Sequence, residues 1–222
     1  MRRTALALAL CLATAAVQAH DDGHDISRVN GGIHTDAGQT YGDIDTVNGG
    51  IDLARGTIAE DVSTVNGGID VGEQVRVKSL ETVNGGIDAG RDLQVSDDID
   101  TVNGGIHLAP GTHVGDEVAT VNGQITLDHC DVGGQVHTVS GDITVGEGSL
   151  VRGGLLVEKP HGMSWSWSKP KIPRIVIGPN AEVQGELRFE REVELFVHAS
   201  AKIGKVTGAT PQRYTDRLPP RP

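Results

Sequence analysis

Three aspartates, Asp52, Asp70 and Asp88, recur 18 residues apart, each directly after an isoleucine. His34, His107, Thr126 and Thr144 hold the same position in the flanking stretches. If these positions lie above one another in stacked strands, the carboxylates stand about 4.8 Å apart on one face. Like charges that close repel by roughly 1 kcal/mol per pair in a water-like medium. A divalent cation would relieve that repulsion, and Ca²⁺ takes such oxygen ligands. The competing reading is a solvated acidic face that keeps copies apart. Calcium-binding β-roll repeats carry a GGxGxD-type nonapeptide, which NGGID lacks.

Four further sets could carry chemistry. His20, Asp21, Asp22, His24 and Asp25 could hold a transition metal, with imidazole and the amine freed at His20 suiting copper or nickel; the other reading is a charged cap. Trp165 and Trp167 lie in the run SWSWS, near Lys169, Lys171 and Arg174. Two rings on one side of an extended segment with cations beside them suit a sugar, a membrane interface or another partner; the alternative is a cover over an open end of the core. Thr46, Thr64, Thr82, Thr101, Thr120 and Thr138 form a column that either orders water on an outer face or simply favours strands. Cys130 stands alone once a leader bearing Cys11 is removed. It reads as a small core residue, with an intermolecular disulfide as the alternative. No Ser/His/Asp series, P-loop or dinucleotide fingerprint is present. Carboxylates come as repeated copies, so none is singled out as an acid–base pair. The chain reads as a non-enzyme without a cofactor.

What must position these residues is a repeat. The Asn of TVNGGID falls at Asn30, Asn48, Asn66, Asn84, Asn103 and Asn122, with Ser140 in the next copy, at spacings of 18 or 19. That period is too short for a two-helix repeat or a propeller blade. Gly, Asp, Thr and Val disfavour helix, and Ile51-Asp52-Leu53 alternates as a half-buried strand does. A second apolar position recurs at Ile44, Val62, Leu80, Ile99, Val118 and Val136. The unit is one coil of an all-β, single-stranded parallel β-helix with two or three short strands per turn. Val47, Ile51 and Leu53 are expected to stack on Val65, Ile69 and Val71 as an aliphatic core. Asn-Gly is a turn signal because both residues tolerate positive φ, so NGG marks a corner. The six asparagines stack there, each amide donating to one neighbour and accepting from the other.

The rest of the chain frames the coils. Arg2, Arg3, the apolar run Ala5 to Ala16 and Val17-Gln18-Ala19 read as a signal peptide over 1–19. Its apolar run is shorter than the roughly 20 residues of a membrane-spanning helix, and Leu10 before Cys11 fits a lipidation site poorly. Residues 20–28 read as a charged cap and 29–158 as solenoid repeats, with Val151-Arg152-Gly153-Gly154-Leu155 as a degenerate copy. Residues 159–174 form a Pro/Trp insertion, 175–206 further coils with a repeat offset of 20, and 207–222 a disordered tail. Residues 20–150 hold 23 acidic and 5 basic side chains, whereas 151–222 hold 7 acidic and 12 basic. So acidic a body excludes nucleic acid.

On these residues the chain resembles the bacterial adhesin β-solenoid domains, a domain family of unknown function. The later segments IGPNAEVQGEL and VHASAKIGKV resemble bactofilin units, which polymerise as β-solenoids. The resemblance spans roughly residues 27–206 and implies the fold. It brings no catalytic residues, and an exported chain departs from a cytoskeletal role. The expectation is a periplasmic or extracellular rod of about 35 to 45 Å that presents side-chain ladders to a cell-envelope component, polysaccharide or protein. A self-assembling fibre subunit, with self-association through near-identical repeats, and a carbohydrate-active β-helix enzyme are the alternatives.

Overall fold

The computed structural model describes residues 24–160 and 171–219. They form an all-β parallel solenoid with three faces and, among the described residues, no helix. Each coil crosses faces A, B and C in turn. Face A has ten strands, from Ile26–Asn30 to Val206–Thr207; face B has ten, from Ile33–His34 to Gln212–Tyr214; face C has seven, from Arg76–Val77 to Lys202–Ile203. In the first coils face C consists only of the bridges Thr40 to Ile58 and Ile58 to Arg76.

Inside runs an aliphatic column. Ile44, Val62, Leu80, Ile99, Val118 and Val136 come from face A, and Ile51, Ile69, Ile87, Ile106, Ile125 and Ile143 from face B; all are essentially inaccessible. Burying one such side chain is worth about 1.5–3 kcal/mol, and no single coil could do it alone. Cys130 belongs to this core, on a column with Thr112 and Ser149, and burial pushes its thiol up to about 11.

The sense of one expected column is reversed. Val47 is 39% exposed, so the motif's valine points outward. Thr46, Thr64, Thr82, Thr101, Thr120 and Thr138 point inward and are buried. This removes the outer threonine face. Strand alternation from Ile44 requires it, since residues two apart share a side.

The threonines go inside because the corner needs them. At NGG the first glycine's N–H still donates to the Asn carbonyl of the next coil, as from Gly67 to Asn84 at 3.1 Å. The second glycine's carbonyl takes the isoleucine N–H, as from Ile51 to Gly68 at 3.0 Å. The first glycine's carbonyl is left over, and the next coil's threonine hydroxyl bonds it: Thr64 to Gly49, Thr82 to Gly67 and Thr101 to Gly85, each at 2.9 Å. Buried carbonyls without a partner cost about 1–3 kcal/mol. Thr82→Val, which keeps the shape, should therefore lower stability in a urea melt by about that amount, whereas Val83→Thr on the outside should be near neutral.

The glycines serve packing rather than positive φ. Gly31 alone among the motif glycines has one. A Cβ on Gly49, Gly67, Gly85, Gly104, Gly123 or Gly141 would overlap the carbonyl of the first glycine one coil earlier. Left-handed backbone belongs instead to the corner between faces B and C, at Gly38, Gly56, Gln74, Asp92, Gly111, His129, Gly148 and Asn180.

Several expected boundaries move. The first coil starts at Ile26, opposite Ile44, so residues 26–28 belong to a strand rather than to a cap. Leu150–Val151 lies on face C opposite Asp131–Val132, and Gly154 opens a face A strand; the stretch 151–155 is thus the corner between faces C and A, not a copy of NGG. Ile143 pairs with Ile175 and Val145 with Ile177. The later repeat therefore continues the same coils, and the insertion lengthens one corner between faces A and B. Residues 206–214 hold Val206–Thr207 and Gln212–Tyr214, which close faces A and B. Tyr214 is buried and its hydroxyl donates to the Ile177 carbonyl at 3.2 Å. The expected tail therefore begins only after this strand. Residues 1–23, with the expected signal peptide and most of the cap, lie outside the described residues.

Candidate functional site

The structure arranges outward side chains in straight ladders, because every coil pairs in register with the next. The asparagine ladder runs along the corner between faces A and B. Nδ2 of Asn48, Asn66, Asn84, Asn103 and Asn122 donates to Oδ1 of Asn30, Asn48, Asn66, Asn84 and Asn103 in turn, at 3.0 to 3.1 Å. One amide hydrogen and one lone pair per residue are thereby consumed inside the ladder, which stays exposed along its length. Its chemistry is that of a corner strut.

On face B, Asp52, Asp70 and Asp88 stand directly opposite one another. His34 Nδ1 lies 2.5 Å from an oxygen of Asp52. Burial, then the charge and hydrogen bond of Asp52 and the charge of Asp88, raise the Asp70 carboxyl above its ordinary value. The crowding is real, yet among the described residues no three His, Cys, Asp or Glu side chains are placed to hold a metal ion.

The expected partner-binding group is divided. Trp165, Trp167 and Lys169 lie outside the described residues. Lys171 and Arg174 are taken up by the solenoid itself. Lys171 Nζ is 2.6 Å from Oδ2 of Asp142, and Oδ1 of the same carboxylate accepts the Arg174 backbone N–H at 2.9 Å. The Arg174 guanidinium lies over the Phe196 ring, 4.6 Å from its centre, in the range of a cation–π contact. Arg191 joins them by donating to the carbonyls of Val139 and Lys171, each at 3.0 Å. Together these contacts fasten the root of the insertion.

Face A carries a second acidic array that the repeat motif hides. One outward column runs Asp45, Ser63, Glu81, Asp100, Ala119 and His137, in register from coil to coil. Beside it, at the corner between faces C and A, stand Asp43, Asp61, Ser79, Asp98 and Glu117. Many of the corner groups have a structural task. Asp43 and Asp98 each accept the backbone N–H of the next coil, Asp61 at 3.3 Å and Glu117 at 2.8 Å, and Asp61 accepts the Ser79 hydroxyl at 2.6 Å.

Charge compensation stops part-way along this array. At Asp61 burial raises the carboxyl, but the hydrogen bonds from Lys78 and Ser79 and the Lys78 charge more than offset it, so it titrates below its ordinary value. Its Lys78 ion pair measures 2.8 Å. Further along, among the described residues, no Lys or Arg ion pair appears. Glu81 is raised by burial and then by the charges of Asp61, Asp98 and Asp45, against a smaller pull from Lys78. Asp98 is raised by burial and by Asp116, Glu117 and Asp97, against the Glu117 N–H it accepts. Asp100 is pushed up to about 7, first by burial and then by the charges of Asp98, Glu117 and Glu81, against a smaller pull from His137. His137 is wedged at the far end. Its ring is 7% exposed, with Nδ1 3.4 Å from Glu117 and Nε2 3.6 Å from Glu158. Nε2 is the one buried side-chain nitrogen or oxygen among the described residues without a hydrogen-bond partner.

The residue just before each motif threonine is the signal for this array. It is legible in the sequence only once that threonine is known to face inward, which turns its predecessor outward. The chain matches no protein-family profile, no curated protein and no solved structure.

Proposed function

We propose that this chain is an exported, non-catalytic, adhesin-like rod that presents ladders of like side chains to a component of the cell envelope or surface. The observation that supports this most is the in-register stacking of outward positions on faces A and B, which turns single residues into stripes running along the axis. A stripe suits an extended partner, polysaccharide or protein, better than a small molecule. The short corners fit the same reading, since apart from the corner lengthened by the insertion at 159–174 the coils of 18 to 20 residues leave no long loops to wall a substrate pocket. Export through cleavage near Ala19 would put the rod in the periplasm or outside the cell. No helix among the described residues is long and apolar enough to cross a membrane.

Retention on envelope fractions of the source cell tests this. The rod and a variant with residues 161–170 replaced by a short Gly/Ser link would be passed over the same material. Saturable retention of the rod is expected. No saturable retention on any fraction, or turnover of envelope polysaccharide on incubation, would rule out a non-catalytic presenter. Retention lost only in the linked variant would locate the contact at the insertion rather than on the ladders.

A further inference from the structure

We infer that the outer side of face A, from Glu81 to Glu158, is a docking strip for a lysine-rich polypeptide segment lying along the rod. This rests on the reading of the rod as a presenter and names the chemistry of its partner. Three observations carry it. Glu81, Asp98, Asp100, Glu117 and Glu158 follow one another over five successive coils, and among the described residues no Lys or Arg ion pair reaches any of them. His137, nine-tenths buried among them, leaves Nε2 unpartnered and beyond hydrogen-bond reach of Glu158. Nε2 is closed to solvent, so a small turn of the ring would let an ammonium seated on the Glu158 carboxylate donate to it as well. The acids are also strung out at about 4.8 Å per coil, and no three of them converge on a point. A single metal ion therefore satisfies few of them, whereas a chain of ammonium groups on long, flexible stems satisfies many.

The neighbouring stripe fits the same partner. Val83, Val102, Val121 and Val139 flank the acids on the outer side, half-buried by one another. Lysine stems can cover such apolar surface while their heads reach the carboxylates. The acidic body also draws cations towards it and repels a second copy of itself.

Octalysine binding, followed by calorimetry at pH 8.5, where Asp100 is ionised, and at about 0.05 M salt, separates the strip from the general field. Glu81→Gln, Asp100→Asn and Glu158→Gln together remove three charges whose carboxylates accept no ladder hydrogen bond, so the coils keep their frame. Asp52→Asn, Asp70→Asn and Asp88→Asn remove the same charge from face B. The face A triple should weaken binding at least about tenfold and the face B triple less than about threefold. His137→Phe, which keeps the ring's bulk, should weaken it by at least about threefold. Equal losses in the two triples, no loss in the face A triple, or no effect of His137→Phe would each overturn the strip. Ca²⁺ that displaces octalysine and is itself lost in the face A triple would replace the polypeptide by a metal ion. Failure here is distinguishable from failure of the broader reading: envelope retention that survives the face A triple refutes only the strip, and octalysine binding without envelope retention refutes only the presenter.

Discussion

Asp100→Asn should stabilise the protein at pH 8 by about 2 kcal/mol and do almost nothing at pH 4. The folded carboxyl titrates at about 7 against an ordinary 3.8. Between those values the native state holds a proton that the unfolded chain has released. Stability therefore falls as pH rises through that window, and above it the protein carries the full cost of an ionised carboxylate among Asp98, Glu117 and Glu81. A displacement of this size corresponds to at most about 4 kcal/mol. Asp100 keeps some contact with water, and screening there takes the expected gain to about half. Asparagine resembles the protonated carboxyl, so it removes the penalty where the wild type is ionised and changes little where it is not. Urea midpoints between pH 4 and 8.5 check this. A constant gain across the range would mean that the substitution acts through packing, and a loss at high pH would mean that the Asp100 charge has a partner.

The second large effect separates two adjacent glycines. Gly104→Ala should cost about 3 kcal/mol or more, and Gly105→Ala less than about 1 kcal/mol. A Cβ on Gly104 would overlap the Gly85 carbonyl oxygen, the same atom that accepts the Thr101 hydroxyl at 2.9 Å. Both groups are fixed backbone, so relief requires the coils to separate and their ladder bonds to lengthen. A Cβ on Gly105 would come to 3.2 Å of the Gln124 carbonyl oxygen, which a small shift accommodates. The chain already makes this comparison within itself. Gln124 and Asp142 occupy the second position, while Gly123 and Gly141 keep the first. Paired urea melts of the two variants would decide it; equal losses would show that backbone freedom, not coil-to-coil contact, sets the need for glycine.

The two experiments touch different parts of what could be read in advance. The stack of asparagines followed from a fixed period of 18 or 19 residues, because any residue repeated once per coil must stand above its copy. The aspartate column on face B followed in the same way. The acidic array on face A did not, since its members differ from coil to coil: aspartate, serine, glutamate, alanine and histidine share the column. Uncompensated charge there is a property of neighbours, and Lys78 meets Asp61 while nothing of its kind meets Asp100.

From its sequence alone the chain determined a parallel β-solenoid. Apolar residues at a steady period, with too few aromatics and helix formers for another architecture, leave stacking of coils as the way to bury them. The tertiary structure decided which way the motif's threonine and valine point. Hydrophobicity favours valine inside, but a leftover carbonyl at each corner needs a hydroxyl, and strand alternation then sends valine out. The structure also decided where left-handed backbone falls. Side chains such as Gln74, Asp92 and His129 adopt it at one corner, while the motif glycines at another are required by the carbonyl of the coil beneath, a contact between residues 18 or 19 positions apart that no local pattern records.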